Sequence, residues 1–236
     1  MKPHLVVSIF VFLALCAVAG GQAVRLEDSS DWWSISSERF HGPELKPQKI
    51  EIDPSNFKIL GSFFHTVGFE GVAAKLGKAV IVERGDASTG RHQACYVSSA
   101  RSPLVHLVFE FGEDESLFYI FAGGRDWKGS NYCVRSTQVS GNLSTASGLR
   151  LGLAPQQLED ILGHPDATVG DTLFYFRQVH KKSTPAEFEE QRKEYPEKLS
   201  DALAHEKFDF HTVEQYIVAK FANSKLYYLA VQTDEE

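Results

Sequence analysis

The chain has 236 residues, of which 43% are hydrophobic and 23% are charged. This composition excludes low-complexity disorder, collagen and coiled coil, and the length corresponds to one or two domains. With 24 Lys and Arg against 31 Asp and Glu, the formal net charge is −7. No overall basic field would therefore draw the protein to nucleic acid or to anionic lipid.

The first residues carry the pattern of a secretory signal peptide. Lys2 gives a basic start, residues 5–19 are almost wholly apolar, and small residues surround Ala19 and Ala23. The apolar run of about 15 residues is shorter than the ~20 that a membrane-spanning helix requires. We predict a cleavable signal peptide over residues 1–19, with cleavage after Ala23 or an uncleaved anchor helix as the alternatives.

The three cysteines bear on lipidation and on disulfide formation. Cys16 follows Leu15, whereas the lipidated cysteine of a bacterial lipoprotein follows a small residue, so we expect no lipid anchor. Cys95 and Cys133 remain after cleavage, and an even count in an oxidising compartment favours a disulfide between them. Two buried free thiols, or one reactive thiol, are the alternatives. The mature protein is predicted to be secreted or periplasmic.

Beyond the signal peptide we expect three parts. Residues 20–56 predict an irregular N-terminal arm, because they contain the Trp32–Trp33 pair and three prolines. A first α/β unit is predicted over residues 57–139 and a second over residues 140–236, since the same order of signals occurs twice.

In the first unit, a short amphipathic helix is predicted to end at Gly77, because glycine adopts the left-handed C′ conformation at the least cost. A strand over residues 94–97 follows. A hairpin of strands 107–111 and 117–121 comes next, since these runs are rich in β-branched and aromatic residues.

The second unit repeats this order, with a helix ending at Gly163, a strand over residues 173–176, and a hairpin of strands 216–221 and 226–231. Both units are helix-strand-strand-strand. We therefore predict an α+β fold of two tandem units, each with one short helix packed on a small antiparallel sheet.

A helical insertion is predicted over residues 181–208, inside the second unit. Thr184, Pro185 and Glu187 are the cap, first-turn proline and N3 acid of a helix start. We expect one or two exposed helices there, interrupted near Pro196.

The segment 149–166, with the sequence LRLGLAPQQLEDILGHPD, resembles a known family pattern. It is similar to the opening of the outer-membrane assembly lipoprotein family BamE (SmpA/OmlA) and of the β-lactamase-inhibitor-protein-like fold. β-Lactamase inhibitor proteins are tandem repeats of such a unit. The resemblance implies a protein that acts by binding other proteins, and it implies no catalytic residue.

Motifs for chemistry are scarce, and we expect no catalytic residue, cofactor or metal. Nine histidines are present, but none has the spacing of a known metal motif. His205 and His211 lie six positions apart, across a predicted helix-to-strand boundary. Cys95 with His92 resembles a nucleophile-base pair, but on a strand their side chains would point to opposite faces.

One helix covers only one face of each small sheet, so the other face meets solvent, the second unit or a partner. Aromatic residues alternate along the hairpin strands, and acidic residues crowd the first hairpin turn. The candidate partner surface comprises Glu113, Asp114, Tyr119, Tyr227 and Tyr228. The alternative is that the open faces of the two units pack on each other.

These patterns favour an exported, non-enzymatic module that binds another envelope or secreted protein. The alternatives are a secreted hydrolase or thiol enzyme that uses Cys95, and an envelope scaffold with no fixed partner. No nucleic-acid partner is expected.

Overall fold

A computed structural model of the chain describes residues 24–25, 43, 45–46, 48–84, 91–100, 104–112, 115–122, 132–194 and 201–235. The predicted signal peptide lies outside the described residues, as do Glu113 and Asp114 of the candidate surface. Across the described ranges, no helix is long and apolar enough to cross a membrane.

The described residues form four α-helices and one 3₁₀ helix. Their bounds are Pro54–Phe57 for the 3₁₀ helix, Phe64–Leu76 for α1, Pro155–Leu162 for α2, Pro185–Glu194 for α3 and Asp201–Phe208 for α4. Helix α1 ends at Gly77 and α2 ends at Gly163, as predicted, with φ values of 90° and 79°. These angles favour glycine. Gly68, with φ 53°, interrupts α1 in its first half.

Twelve strands occur in the same ranges. Their bounds are Val24–Arg25 (β1), Lys58–Ile59 (β2), Ser62–Phe63 (β3), Ile81–Arg84 (β4), Arg91–Ser98 (β5), Val105–Phe111 (β6), Glu115–Ala122 (β7), Val134–Ser136 (β8), Ala167–Val169 (β9), Thr172–Lys182 (β10), Phe210–Ala222 (β11) and Lys225–Glu235 (β12). Strands β2 and β3 form a small separate ribbon. The other ten form one sheet with the order β1-β4-β5-β6-β7-β12-β11-β10-β9, and β8 extends the edge of β5. Pairing is antiparallel except at β1–β4 and β5–β8.

The fold is therefore α+β, with a mostly antiparallel sheet and few helices. Both predicted hairpins are present, as β6–β7 and β11–β12, and they meet where β7 pairs with β12. Helices α3 and α4 lie between β10 and β11, within the range where the sequence predicts one or two helices. The division into two repeated units remains a prediction.

Because successive side chains of a strand point to opposite sides, the sheet has a first face and a second face. The first face carries the larger core, against α1, α2, the 3₁₀ helix and the connection over residues 139–153. Phe64 of α1 meets Phe118 edge to face at 4.9 Å between ring centroids, and Leu158 of α2 is fully buried.

The segment before the 3₁₀ helix passes from the second face to the first around the β10 edge. Leu45 packs against the second-face cluster. Gln48 exchanges backbone hydrogen bonds with Phe176 and Gln178 of β10. Ile52 is buried on the first face, where the side chain of Gln215 accepts a hydrogen bond from its backbone N–H at 2.7 Å.

Candidate binding face

The second face carries a continuous apolar band across six strands. The register brings Cys95, Val108, Tyr119, Ala230, Val218 and Phe174 side by side on β5, β6, β7, β12, β11 and β10. Every member of this row is buried. Among the described residues, the members of the second-face cluster lie on strands or in connections and none belongs to a helix.

Tyrosines line a small cavity at the middle of this face. Tyr119 and Tyr228 lie 6.3 Å apart between ring centroids, and Tyr216 lines the same cavity. Gln232 closes one side; it is 8% exposed, and its Oε1 has no hydrogen-bond partner among the described residues. A buried amide oxygen without a donor is costly, and the cavity, at about 10 Å³, has room for no more than a single water.

Lys220 and His106 contact aromatic rings next to the cavity: Lys220 contacts Tyr228, and His106 contacts Phe121. The Lys220 ammonium lies 5.1 Å from the ring centroid of Tyr228, within the range of a cation–π contact. Burial lowers the pKa of Lys220 from its usual range. His106 stacks on Phe121 at 4.8 Å between ring centroids, in the row that also contains Tyr228.

A buried ion pair between β5 and β6 lies beside the apolar band. Glu110 is fully buried, and the Nη1 of Arg91 donates to its carboxylate at 2.9 Å. The side-chain amide of Gln93 also donates to Glu110. A buried charge is tolerated when it is paired and hydrogen-bonded, and Glu110 meets both conditions.

Three acidic residues occupy paired positions on neighbouring strands at one end of the second face. Residues 115, 234 and 214 are cross-strand register partners on β7, β12 and β11. Like charges directly opposite each other oppose pairing of the strands. Asp234 and Glu214 both have interaction partners, and the side-chain amide of Gln178 donates a hydrogen bond of 3.0 Å to Glu214.

The predicted surface residues differ in how far they are exposed to solvent. Tyr119 and Tyr228 come together and are 3% and 6% exposed. Their contact with a partner stays a prediction. Tyr227 is 39% exposed beside them, at a bulge in β12 where the register with β11 shifts. Glu113 and Asp114 lie outside the described residues.

Tyr216, Gln232 and Glu110 were not among the predicted surface residues. Tyr216 and Glu110 belong to predicted strands, and alternation along those strands could have placed them on one face. Their neighbourhood depends on the β7–β12 pairing, for which the sequence carries no local signal.

Cys95 and Cys133 lie at disulfide-bonding distance, with their Cα atoms 4.5 Å apart. This spacing is within the range for a bridged pair. His92 lies on the opposite face of β5, as the alternation predicts, because Cys95 belongs to the second-face row and His92 is out of phase with it. Cys95 therefore does not have His92 as a base in this geometry.

The histidines considered as a metal pair have separate neighbours. His205 lies 2.8 Å from the Asp209 carboxylate, and His211 lies 3.4 Å from the Ser183 hydroxyl. Within the part of the chain that the structure describes, no group of three His, Cys, Asp or Glu side chains is placed to hold a metal ion.

Comparison with known proteins adds no relative: no protein-family model, curated protein or solved structure matches the chain.

Proposed function

We propose that this protein is an exported, non-enzymatic module that binds an envelope or secreted protein through the second face of its sheet and the rim at Tyr227. The observation that carries the proposal is the aromatic and apolar band on the face opposite the helices. Tyrosine is well suited to a contact surface, because it combines a large apolar ring with a polar tip. Export is supported by the N-terminal pattern and by a cysteine pair at disulfide distance.

The proposal includes a duplicated architecture. In each half of the sheet, a helix closed by glycine precedes four strands, and the last strands of the two halves, β7 and β12, pair with each other. Each half also buries a tyrosine on the first face beneath its helix: Tyr96 donates to the carbonyl of Gly77, and Tyr175 lies in the electrostatic field of Glu159 on α2. Each half then has one strand more than the predicted unit of a helix and three strands, and the relation to binding proteins of the BamE and β-lactamase-inhibitor type stays part of the proposal.

A thiol titration separates this proposal from the thiol enzyme. If Cys95 and Cys133 are joined, the native mature protein contains no titratable thiol. One or two reactive thiols without reduction would favour the enzyme and contradict the disulfide. The reduced, denatured protein serves as the control, in which both thiols should appear.

Quantitative capture tests the binding surface. The immobilised mature protein is incubated with the extracytoplasmic fraction of its source, and recovered proteins are compared between Tyr227→Ala and Phe210→Ala. Both side chains are exposed, at 39% and 59%. Phe210 is in phase with the second-face residues of β11, but it lies six residues before Tyr216, the first β11 residue that lines the cavity. We expect Tyr227→Ala to reduce recovery of a partner by about tenfold, a loss typical of an interface anchor, and Phe210→Ala to leave recovery unchanged. Equal recovery with both variants would contradict the assignment.

A further inference from the structure

A larger cavity, of about 200 Å³, lies on the first face of the sheet, near the end of β10, the start of β11 and the end of β12. The sheet contributes Lys181, Val213, Gln215 and Thr233 to its lining. An engineered apolar cavity of about 150 Å³ accommodates a benzene ring. This cavity therefore has room for a molecule with one ring and a few further atoms.

Hydrogen bonds hold the wall opposite the sheet in place. The buried side-chain amide of Gln215 binds both backbone groups of Ile52: it accepts from the N–H at 2.7 Å and donates to the carbonyl at 3.3 Å. Asp53 then caps the 3₁₀ helix by accepting from the Ser55 N–H at 2.8 Å. Phe57 of that helix is buried and lines the cavity. The wall is thus formed without a ligand, as in most small-molecule sites.

The middle of the cavity is apolar. Pro54, Phe57, Phe63 and Val213 all line it, and two of these four side chains are aromatic rings. Aromatic rings pack well against another flat ring, edge to face or with an offset. This lining favours a ligand whose body is a single aromatic ring.

A buried hydroxyl lines the same cavity. Thr233 is 6% exposed, and its side chain forms no hydrogen bond with any other residue that the structure describes. A buried hydroxyl without a partner is costly, so such groups are usually satisfied. A ligand with a hydroxyl group would supply the missing partner to Thr233.

Two opposite charges border the cavity at a distance from this hydroxyl. The Lys181 ammonium lies 2.6 Å from the Glu51 carboxylate, and both side chains are partly exposed. Such an ion pair adds little to stability, so a ligand can separate its members at low cost. Lys181 is the register partner of His211, four residues before the partner of Thr233 on β11, or about 13 Å along the strand.

We propose that this cavity binds a small aromatic zwitterion, namely a free amino acid with a hydroxyl on its ring. The ligand's ammonium pairs with Glu51, its carboxylate pairs with Lys181, and its ring lies against Phe57 and Val213. The ring hydroxyl exchanges a hydrogen bond with Thr233. This site is on the first face, so it is separate from the proposed partner surface and does not depend on it.

Titration of the native mature protein with L-tyrosine tests the site, and the methyl NMR signals of Val213 report on binding. We expect a saturable shift at ligand concentrations up to about 1 mM. Tyramine lacks the carboxylate and 3-(4-hydroxyphenyl)propionate lacks the ammonium, so each should bind about tenfold more weakly, the usual loss of a charged hydrogen bond. The absence of a saturable shift, or equal affinity for the three compounds, would overturn the proposal without the use of any variant.

The hydroxyl contact is tested with L-phenylalanine and Thr233→Val, which keeps the shape of the side chain. The native protein should bind L-phenylalanine about fivefold more weakly than L-tyrosine. Thr233→Val should bind both amino acids equally, with its affinity for L-phenylalanine unchanged. A preference for L-tyrosine that persists in Thr233→Val would contradict the role of this hydroxyl.

Lys182→Gln is the matched control for the charged end. Lys182 follows Lys181 on β10, and its exposed side chain points to the other face. Lys181→Gln should lower the affinity for L-tyrosine about tenfold, whereas Lys182→Gln should retain the native affinity. An equal loss in both variants would show a general effect of charge and would contradict the site.

Discussion

At the residue scale, two buried tyrosines offer a matched comparison. The hydroxyl of Tyr96 donates to the Gly77 carbonyl at 2.8 Å, whereas the hydroxyl of Tyr175 has no hydrogen-bond partner among the described residues. We expect Tyr96→Phe to lower the free energy of unfolding by about 1 kcal/mol, the usual value of a hydrogen bond. Tyr175→Phe should be neutral or stabilising. Urea unfolding of both variants checks this, and an equal loss for both would contradict the assigned hydrogen bonds.

The same tyrosines predict how stability depends on alkaline pH. Burial raises the pKa of Tyr96 to about 12, and burial also raises the pKa of Tyr175 above its usual value of 10. The folded state favours the neutral phenol, so this stabilisation is complete below about pH 10 and is lost as the pH rises through the folded-state pKa values. Tyr175→Phe should therefore weaken the alkaline loss. A variant as sensitive as the native protein between about pH 10 and 12 would contradict this.

Glu110 and Glu51 allow a buried ion pair to be compared with a partly exposed one. Glu110 is fully buried and pairs with Arg91, while Glu51 and Lys181 are 35% and 37% exposed in their pair. Glu110→Ala removes the buried carboxylate to which both Arg91 and Gln93 donate, and it should destabilise by about 3 kcal/mol. Glu51→Ala should cost less than about 1 kcal/mol. Thermal unfolding measures both changes, and similar shifts in Tm would show that Glu110 is not enclosed.

At the element scale, the start of α3 has the capping hydrogen bonds that Thr184 and Glu187 predict. The Thr184 hydroxyl accepts from the Glu187 N–H at 3.3 Å, and the Glu187 carboxylate accepts from the Thr184 N–H at 2.6 Å. These hydrogen bonds hold the pKa of Glu187 below its usual value of 4.5. The capping contribution is present above that value and is lost as the pH falls through the lowered pKa.

Titration of the Thr184 amide by NMR tests this cap. Its chemical shift should follow a transition below about pH 4.5 in the native protein. Glu187→Gln retains an acceptor oxygen without an ionisable group, so it should abolish the transition. A transition that persists in Glu187→Gln would assign the titration to another group.

Local elements were more predictable from sequence than their pairing. Gly77, Gly163 and Thr184 mark helix ends through backbone geometry or a short-range hydrogen bond, and each was found where predicted. The β7–β12 pairing carries no such signal. Residues 117–121 are buried on both faces of the sheet, so their run lacks the alternation that would distinguish a core side from a solvent side.

At the scale of the whole molecule, one sheet separates two different environments. The first face is packed by helices, while the second combines an apolar band with the Glu110 ion pair and the Gln232 amide. Tyr119 and Tyr228 were expected at a contact surface because aromatic residues alternate along their strands. Their burial arises from the whole-chain arrangement, which the alternation does not determine.

The central claim is that a protein partner binds at the part of the second face beside Tyr227, and site-specific photocrosslinking tests it most directly. A benzophenone amino acid replaces Tyr227 in one protein and Phe210 in another, and each protein is irradiated with the extracytoplasmic fraction of its source. The account predicts a discrete crosslinked product from position 227 that is absent from position 210 and is suppressed by excess native protein. Crosslinking from position 210 alone, or the same products from both positions, would contradict it.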